Sequence, residues 1–264
     1  MKLRTTASKG GLVVLLLGIA MAGRADGDGA AWSVAESATA IRRFVSDAAY
    51  PLEYIGDFEN PNGRAQALFE GLKNGFGSSD RFWVDRGRRM IVSAFLWSRT
   101  DSRYSAIDFD PAEHDLLDLK EAEQRARALV QERCPALLQA KFRYEADVDW
   151  TPYVFTWERL SPEGVRLPEK VTVQFDPLTK QLCGWRRTLR EVVVDLPPRL
   201  TTKAAATIAA EVAGDSCGPL REIYAAVIGR GDTQRVVWYA FHEVDGVQTC
   251  VIVEDATGEA FVLR

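Results

Sequence analysis

At 264 residues the chain has room for one large domain or two to three small ones. Its 47% hydrophobic and 27% charged residues match a globular composition and argue against collagen-like, coiled-coil and wholly disordered organisation. The formal charge of -4 argues against a nucleic-acid footprint, and only two distant histidines, His114 and His242, leave little room for histidine-based catalysis or zinc.

Residues 1–25 read as a secretory signal peptide. Lys2, Arg4 and Lys9 form its basic start, Leu12–Ala22 its 11-residue apolar run, and Ala20, Ala22, Gly23 and Ala25 the small residues of a cleavage zone. The run is half of the roughly 20 residues that span a bilayer, so no stable membrane span is expected after cleavage. Cleavage after Ala22 or Ala25 fits equally, and no Cys at the junction marks a lipoprotein. Export to a periplasm, a cell surface or the medium is expected. The mature chain then carries 29 Lys and Arg against 37 Asp and Glu, a net of -8. Such a surface disfavours polyanions and suits a cationic partner, although solubility accounts for it as well.

Residues 26–117 form an N-terminal region. Its pattern predicts short helices over 34–48 and 64–74, separated by a Pro51–Pro61 loop that holds Gly56 and Asn60. Gly75–Asp80 (GFGSSD) is a loop, because it has neither the Lys of a phosphate loop nor the frame of a serine nucleophile. Arg81–Trp97 reads as strand, turn, strand, with Asp85 and Gly87 at the turn. It has the pattern of the end of a partial repeat.

That repeat is clearer downstream. The segment opened by Asp118 superimposes on the one opened by Thr201 at an offset of 83 residues. Each begins with a capping residue, continues with alanines four apart (Ala122 and Ala126, Ala205 and Ala209), and ends at Cys134-Pro135 or Cys217-Gly218. Tyr153–Val165 then corresponds to Val236–Val247, and Lys170–Trp185 to Thr249–Leu263, with turns at Asp176–Lys180 and Asp255–Gly258. The expected unit is helix, strand, strand, turn, strand, used at 118–198 and 199–264.

These residues resemble the YcdB/YcdC-type PepSY-like repeat of exported bacterial proteins. The resemblance rests on the capped E-A-x-x-x-A helix and on Phe155, Trp157, Glu158, Arg159, Gly164, Val165, Asp176 and Thr179. The first copy departs from the family pattern at Lys180, where Gly is usual, and the second at Ala240-Phe241-His242. The resemblance implies an α+β fold of repeated PepSY-like units, each a helix packed on an antiparallel sheet. It also implies an association with the inhibition or regulation of peptidases, a fold-level analogy that identifies no site.

Trp157 and Arg159 are expected on one face of a strand and Glu158 on the other. Glu158 would be a catalytic carboxylate only in a cleft that raises its pKa; an ordinary paired strand Glu is the simpler reading. The tryptophans fit core packing better than a ligand platform, and Asp85, Asp176 and Asp255 fit turn openers better than calcium ligands. Four cysteines in an exported chain allow three disulfide connectivities. With a helix across each sheet, Cys134 with Cys183 and Cys217 with Cys250 is the expected pairing, and buried free thiols are the alternative. No metal or nucleotide cofactor is expected. The functional expectation is a non-catalytic module that binds or inhibits a peptidase or another extracytoplasmic protein. The alternatives are a carboxylate-dependent hydrolase of an extracellular polymer, which needs two carboxylates about 5–9.5 Å apart, and a structural envelope subunit.

Overall fold

A computed structural model describes residues 30–59, 65–101, 110–148, 152–214, 218–229, 233–244 and 247–263. The expected signal peptide lies outside these residues. In chain order the elements are α1 (Val34–Val45), β1 (Glu53–Glu59), β2 (Ala65–Lys73), β3 (Ser79–Asp85), β4 (Met90–Phe95), α2 (Leu119–Arg133) and α3 (Pro135–Gln139). There follow β5 (Phe142–Asp147), β6 (Tyr153–Leu160), β7 (Arg166–Asp176), β8 (Gln181–Leu189), α4 (Thr202–Ala213), β9 (Leu220–Ile228), β10 (Arg235–Val244), β11 (Val247–Glu254) and β12 (Ala260–Leu263). Among the described residues no helix is long and apolar enough to cross a membrane.

The helices begin where side chains can satisfy free backbone donors. Asp118 accepts from the Glu121 N–H at 3.0 Å to open α2, and Thr201 accepts from the Ala204 N–H at 3.2 Å to open α4. α2 buries Ala122, Ala126 and Val130, and α4 buries Ala205 and Ala209, each along one stripe at four-residue spacing. α2 ends at Arg133 with Cys134 as its cap, where Cys134-Pro135 was expected to stop it, and Pro135 then starts the short α3, at a position where its missing N–H costs nothing.

The expected arrangement of repeated units, each a helix on its own antiparallel sheet, is overturned. Among the described residues all the strands belong to one mixed 12-stranded sheet. β1-β2-β3-β4 and β8-β7-β6-β5 are antiparallel runs that fuse where Ser93, Ala94 and Phe95 of β4 pair with Arg186, Trp185 and Gly184 of β8. β9-β10-β11-β12 joins this array through a single parallel register pair, Arg166 with Ala226. The physical reason is that a strand edge presents unpaired N–H and C=O groups, and β4 and β8 satisfy theirs on each other.

Two local expectations also fail. Ala65–Lys73 is strand β2, not a helix, although its Ala, Gln, Leu and Glu are good helix formers, because pairing with β1 and β3 overrides propensity. Part of the supposed Pro51–Pro61 loop is strand β1. The hairpin over Arg81–Trp97 is present as β3 and β4.

α1, α2 and α3 share one core with six strands, in which Phe44, Tyr50, Phe69, Phe82, Phe155, Trp157 and Trp185 are buried. Phe44 meets Phe82 and Trp185 edge-on at 6.5 and 6.3 Å. A second core lies under α4, where Ala205 and Ala209 meet Ala225, Val236, Trp238, Ala240, Val251 and Val253. The first core takes one face of β7 and β8, and their other face is open and polar.

Candidate functional site

Strand alternation sends Val171, Val173 and Phe175 of β7 into the core and Lys170, Thr172 and Gln174 to the opposite face. The register sets Thr188 of β8 beside Lys170 and Arg186 beside Thr172. Phe95 of β4 is placed there by its pairing with Gly184. With Trp185 these residues line an open groove of about 370 Å³. Gly184 keeps its floor low: a Cβ there would lie 2.2 Å from the Gln174 Oε1, so only glycine lets the Gln174 amide lie across the strand.

The charges around the groove are unevenly matched. Glu158 stands across the strand pair from Lys170, but its carboxylate lies 3.8 Å from Arg166. Arg166 also holds Glu222 at 2.8 Å, while Arg143 is 3.2 Å from Glu145 and 3.9 Å from Glu222. Arg143 and Arg166 thus occupy these three acids, and neither Lys170 nor Arg186 has an ion-pair partner among the described residues. The lining contains cations, hydroxyls and an amide, with no carboxylate, thiol or imidazole to act as base or nucleophile. It is equipped to bind an anion.

The motif residues Trp157, Glu158 and Arg159 do not converge on this groove. Trp157 is fully buried in the first core, 5.2 Å from the Tyr144 ring. Arg159 lies 3.0 Å from the buried Glu169, which also faces Arg187 at 3.7 Å. Glu158 is on the groove's face but is engaged by Arg166.

Cys134, Cys183 and Cys250 are buried free thiols, so the expected Cys134–Cys183 bridge is not formed. Cys134 caps α2 near Arg187 and Glu169, whereas Cys183 stands near Asp176 at the far end of β7, too far along the strand for a bond that needs Cα atoms within about 7 Å. Burial pushes the Cys134 thiol up to about 11 and the Cys183 thiol up to about 12. Cys217, and with it the expected pairing to Cys250, lies outside the described residues.

The turn aspartates serve the backbone. Asp85 accepts from the Arg88 N–H at 2.9 Å, and Asp176 from the Leu178 and Thr179 N–H groups at 2.9 Å each. Asp255 accepts from the Arg199 and Leu200 N–H groups at 2.7 and 2.9 Å and from Trp238 Nε1 at 3.0 Å. His242 is buried and donates from Nδ1 to the Gly218 carbonyl at 3.1 Å. Among the described residues no three His, Cys, Asp or Glu side chains come together as metal ligands.

Sequence reasoning missed the groove. A signal was present in K-V-T-V-Q-F over Lys170–Phe175, whose polar residues fall on alternate positions. What that pattern lacks is the identity of the neighbouring strands that complete the lining.

No family model matches the chain, and neither does any curated protein. Among solved structures the Bacillus megaterium YpeB C-terminal domain is similar, with a TM-score of 0.55 at 12% sequence identity, over 89% of this chain and 100% of that one. At that identity the likeness shows the fold alone: the chain has an architecture similar to that of a domain from a PepSY-containing protein.

Proposed function

We propose that the protein is an exported, non-catalytic binding module of the YcdB/YcdC-type PepSY-like kind. Its occupant is an extended segment of an extracytoplasmic protein, such as a peptidase, laid along the β1 edge. The observation that supports this reading is β1 itself. It ends the strand order and pairs only with β2 among the described residues, and six of its seven residues are exposed. Its free edge offers main-chain hydrogen bonds, and Tyr54, Ile55 and Phe58 add exposed apolar surface. Glu53 and Glu59 make that edge acidic, Asp57 being paired with Arg86 at 2.6 Å, and this favours a cationic segment. The register shift between Tyr54 and Gly56 limits unselective pairing, as bulges on edge strands do. The groove on β7 and β8 offers cations where a polymer hydrolase needs two carboxylates, so no observation supports that alternative.

The test is fluorescence anisotropy of the mature chain with an extended peptide of alternating Lys and Val. Saturable binding that falls at least tenfold in the Glu53→Lys/Glu59→Lys variant is the expected result. Binding unchanged by that charge reversal, or absent from the unaltered chain, rejects the edge as the site.

A further inference from the structure

The groove on β4, β7 and β8 is separate from the β1 edge, with β2 and β3 between them. We infer that it is a second binding site, which captures the C-terminal carboxylate of a peptide whose last residue is apolar.

Its two cations are diagonal neighbours. Lys170 pairs in register with Thr188, and Arg186 with Thr172, so their side chains rise from one face roughly 7–8 Å apart at the backbone. Like charges so placed repel unless an acid lies between them. The nearby acids are taken: Glu158 and Glu222 by Arg166, and Glu145 by Arg143. A bound anion supplies the missing charge and gains a charge-assisted hydrogen bond from each cation.

The remaining lining narrows the class of anion. Thr172, Thr188 and Gln174 present two hydroxyls and an amide on the same face, enough to serve the lone pairs that the cations leave over on a carboxylate. Thr156 lies beside Thr172, with their hydroxyl oxygens 3.4 Å apart. The Phe95 ring, 39% exposed, forms an apolar wall, which favours a carboxylate carried on an apolar group over a bare inorganic ion. The chain's net charge of -4 works against polyanions while leaving room for one local negative group. About 370 Å³ lies at the small end of ligand sites, so the groove suits the last few residues of a chain and not a folded domain.

The experiment titrates the mature chain with N-terminally labelled Gly-Gly-Ser-Phe as free acid, as its C-terminal amide, and as the Gly-Gly-Ser-Ser free acid. Saturable binding of the first, at least tenfold tighter than that of the amide, is the expected outcome. Lys170→Met and Arg186→Met are each expected to weaken it about tenfold, or about 1.4 kcal/mol, while Lys73→Met on β2 leaves it unchanged. Phe95→Ser weakens the Phe-ending peptide and leaves the Ser-ending one unaffected. Circular dichroism of each variant checks that the fold is kept. Equal binding of acid and amide overturns the inference, and so does displacement of the peptide by inorganic phosphate at equal concentration, which would make this a phosphate site. The Glu53→Lys/Glu59→Lys variant is expected to bind the free acid normally, so failure of either site is read apart from failure of the other.

Discussion

The two cores hold helices to the same sheet by different means. In the first, α1 and α2 close over bulky rings, among them Phe44, Phe82, Phe155, Trp157 and Trp185. In the second, the buried stripe of α4 is Ala205 and Ala209 set against Ala225 and Ala240, with Trp238 the one buried ring among the described residues. Each buried aromatic removes roughly 150–250 Å² from water, whereas alanines contribute little area and instead let helix and sheet approach closely. Side chains do most of the joining between the regions. Beyond the Arg166–Ala226 register pair, Val165 and Leu167 reach into the second core, and the Arg166 guanidinium lies 3.1 Å over the Tyr224 ring. By backbone pairing alone the joint between the two regions is thin, and these side chains supply the rest of it.

The sharpest way to break this comparison is Trp157→Ala. Trp157 is fully buried in the first core, and its truncation is expected to cost about 3–5 kcal/mol. Native-state amide exchange should show that loss across β6, β7 and β8, while β10 and β11 shift by less than about 1 kcal/mol. Equal losses in both regions would mean that the cores unfold together.

Arg166→Ala tests the joint itself. The side chain is 13% exposed, engages Glu158 and Glu222, and covers Tyr224. Its removal is expected to cost about 2 kcal/mol, from a largely desolvated cation–π contact and from Glu158 losing its ion pair, while Glu222 keeps Arg143 at 3.9 Å. Urea unfolding followed at both regions should then separate into two transitions. A single coincident transition with an unchanged midpoint would show that Val165 and Leu167 hold the regions together without the guanidinium.

The parts of this architecture that could be read from the chain are the local ones. Asp118 and Thr201 announce α2 and α4, and the alternation in Tyr153–Leu160 and Lys170–Asp176 announces β6 and β7. Ala65–Lys73 misleads because its composition suits a helix and only its neighbours make it a strand. The fusion of β4 with β8 is a pairing between segments about 90 residues apart, and local periodicity carries no information about such partners. The same holds for the groove. Lys170, Thr172 and Gln174 are legible as a polar strand face, but Arg186, Thr188 and Phe95 join them only through register. Trp157, Glu158 and Arg159 attract attention as a motif, and alternation splits them between two faces.

A smaller effect separates equivalent turns of the two regions. Before β8 the left-handed position is held by Lys180 at φ 57°, and before β12 by Gly258 at φ 73°. A side chain in that conformation costs roughly 1 kcal/mol, so Lys180→Gly should stabilise the first region. The gain is offset in part by loss of the Lys180–Asp115 contact at 2.7 Å, an exposed pair worth about 0–1 kcal/mol. A net gain of about 0.5 kcal/mol is expected in thermal unfolding, and Gly258→Ala should instead lose about 1 kcal/mol. A destabilised Lys180→Gly protein would show that the ion pair outweighs the backbone strain.

The smallest expected effect concerns how the first helix of each region starts. α1 opens with a capping box: Glu36 accepts from the Ser33 N–H at 2.7 Å and from the Ser33 hydroxyl at 2.9 Å, while the Glu36 N–H donates to that hydroxyl oxygen at 3.2 Å. The backbone and side-chain hydrogen bonds from Ser33 hold the Glu36 carboxyl below its usual value, with help from Arg89. A lowered folded-state pKa stabilises the protein fully above the unfolded-state pKa of about 4.3, and that contribution is lost as pH falls through the folded value. α4 has Thr201 as its cap and Ala204 at the matching position, so its start has no such titrating partner. Lowering the pH from 6 to 3 should therefore fray residues 34–37 more than residues 202–205, read as amide exchange corrected for intrinsic rates. Glu36→Gln keeps an acceptor that does not titrate and should flatten the response of α1. If α1 in that variant still frays as the unaltered chain does, the acid sensitivity comes from elsewhere in the first region and the capping box is not its cause.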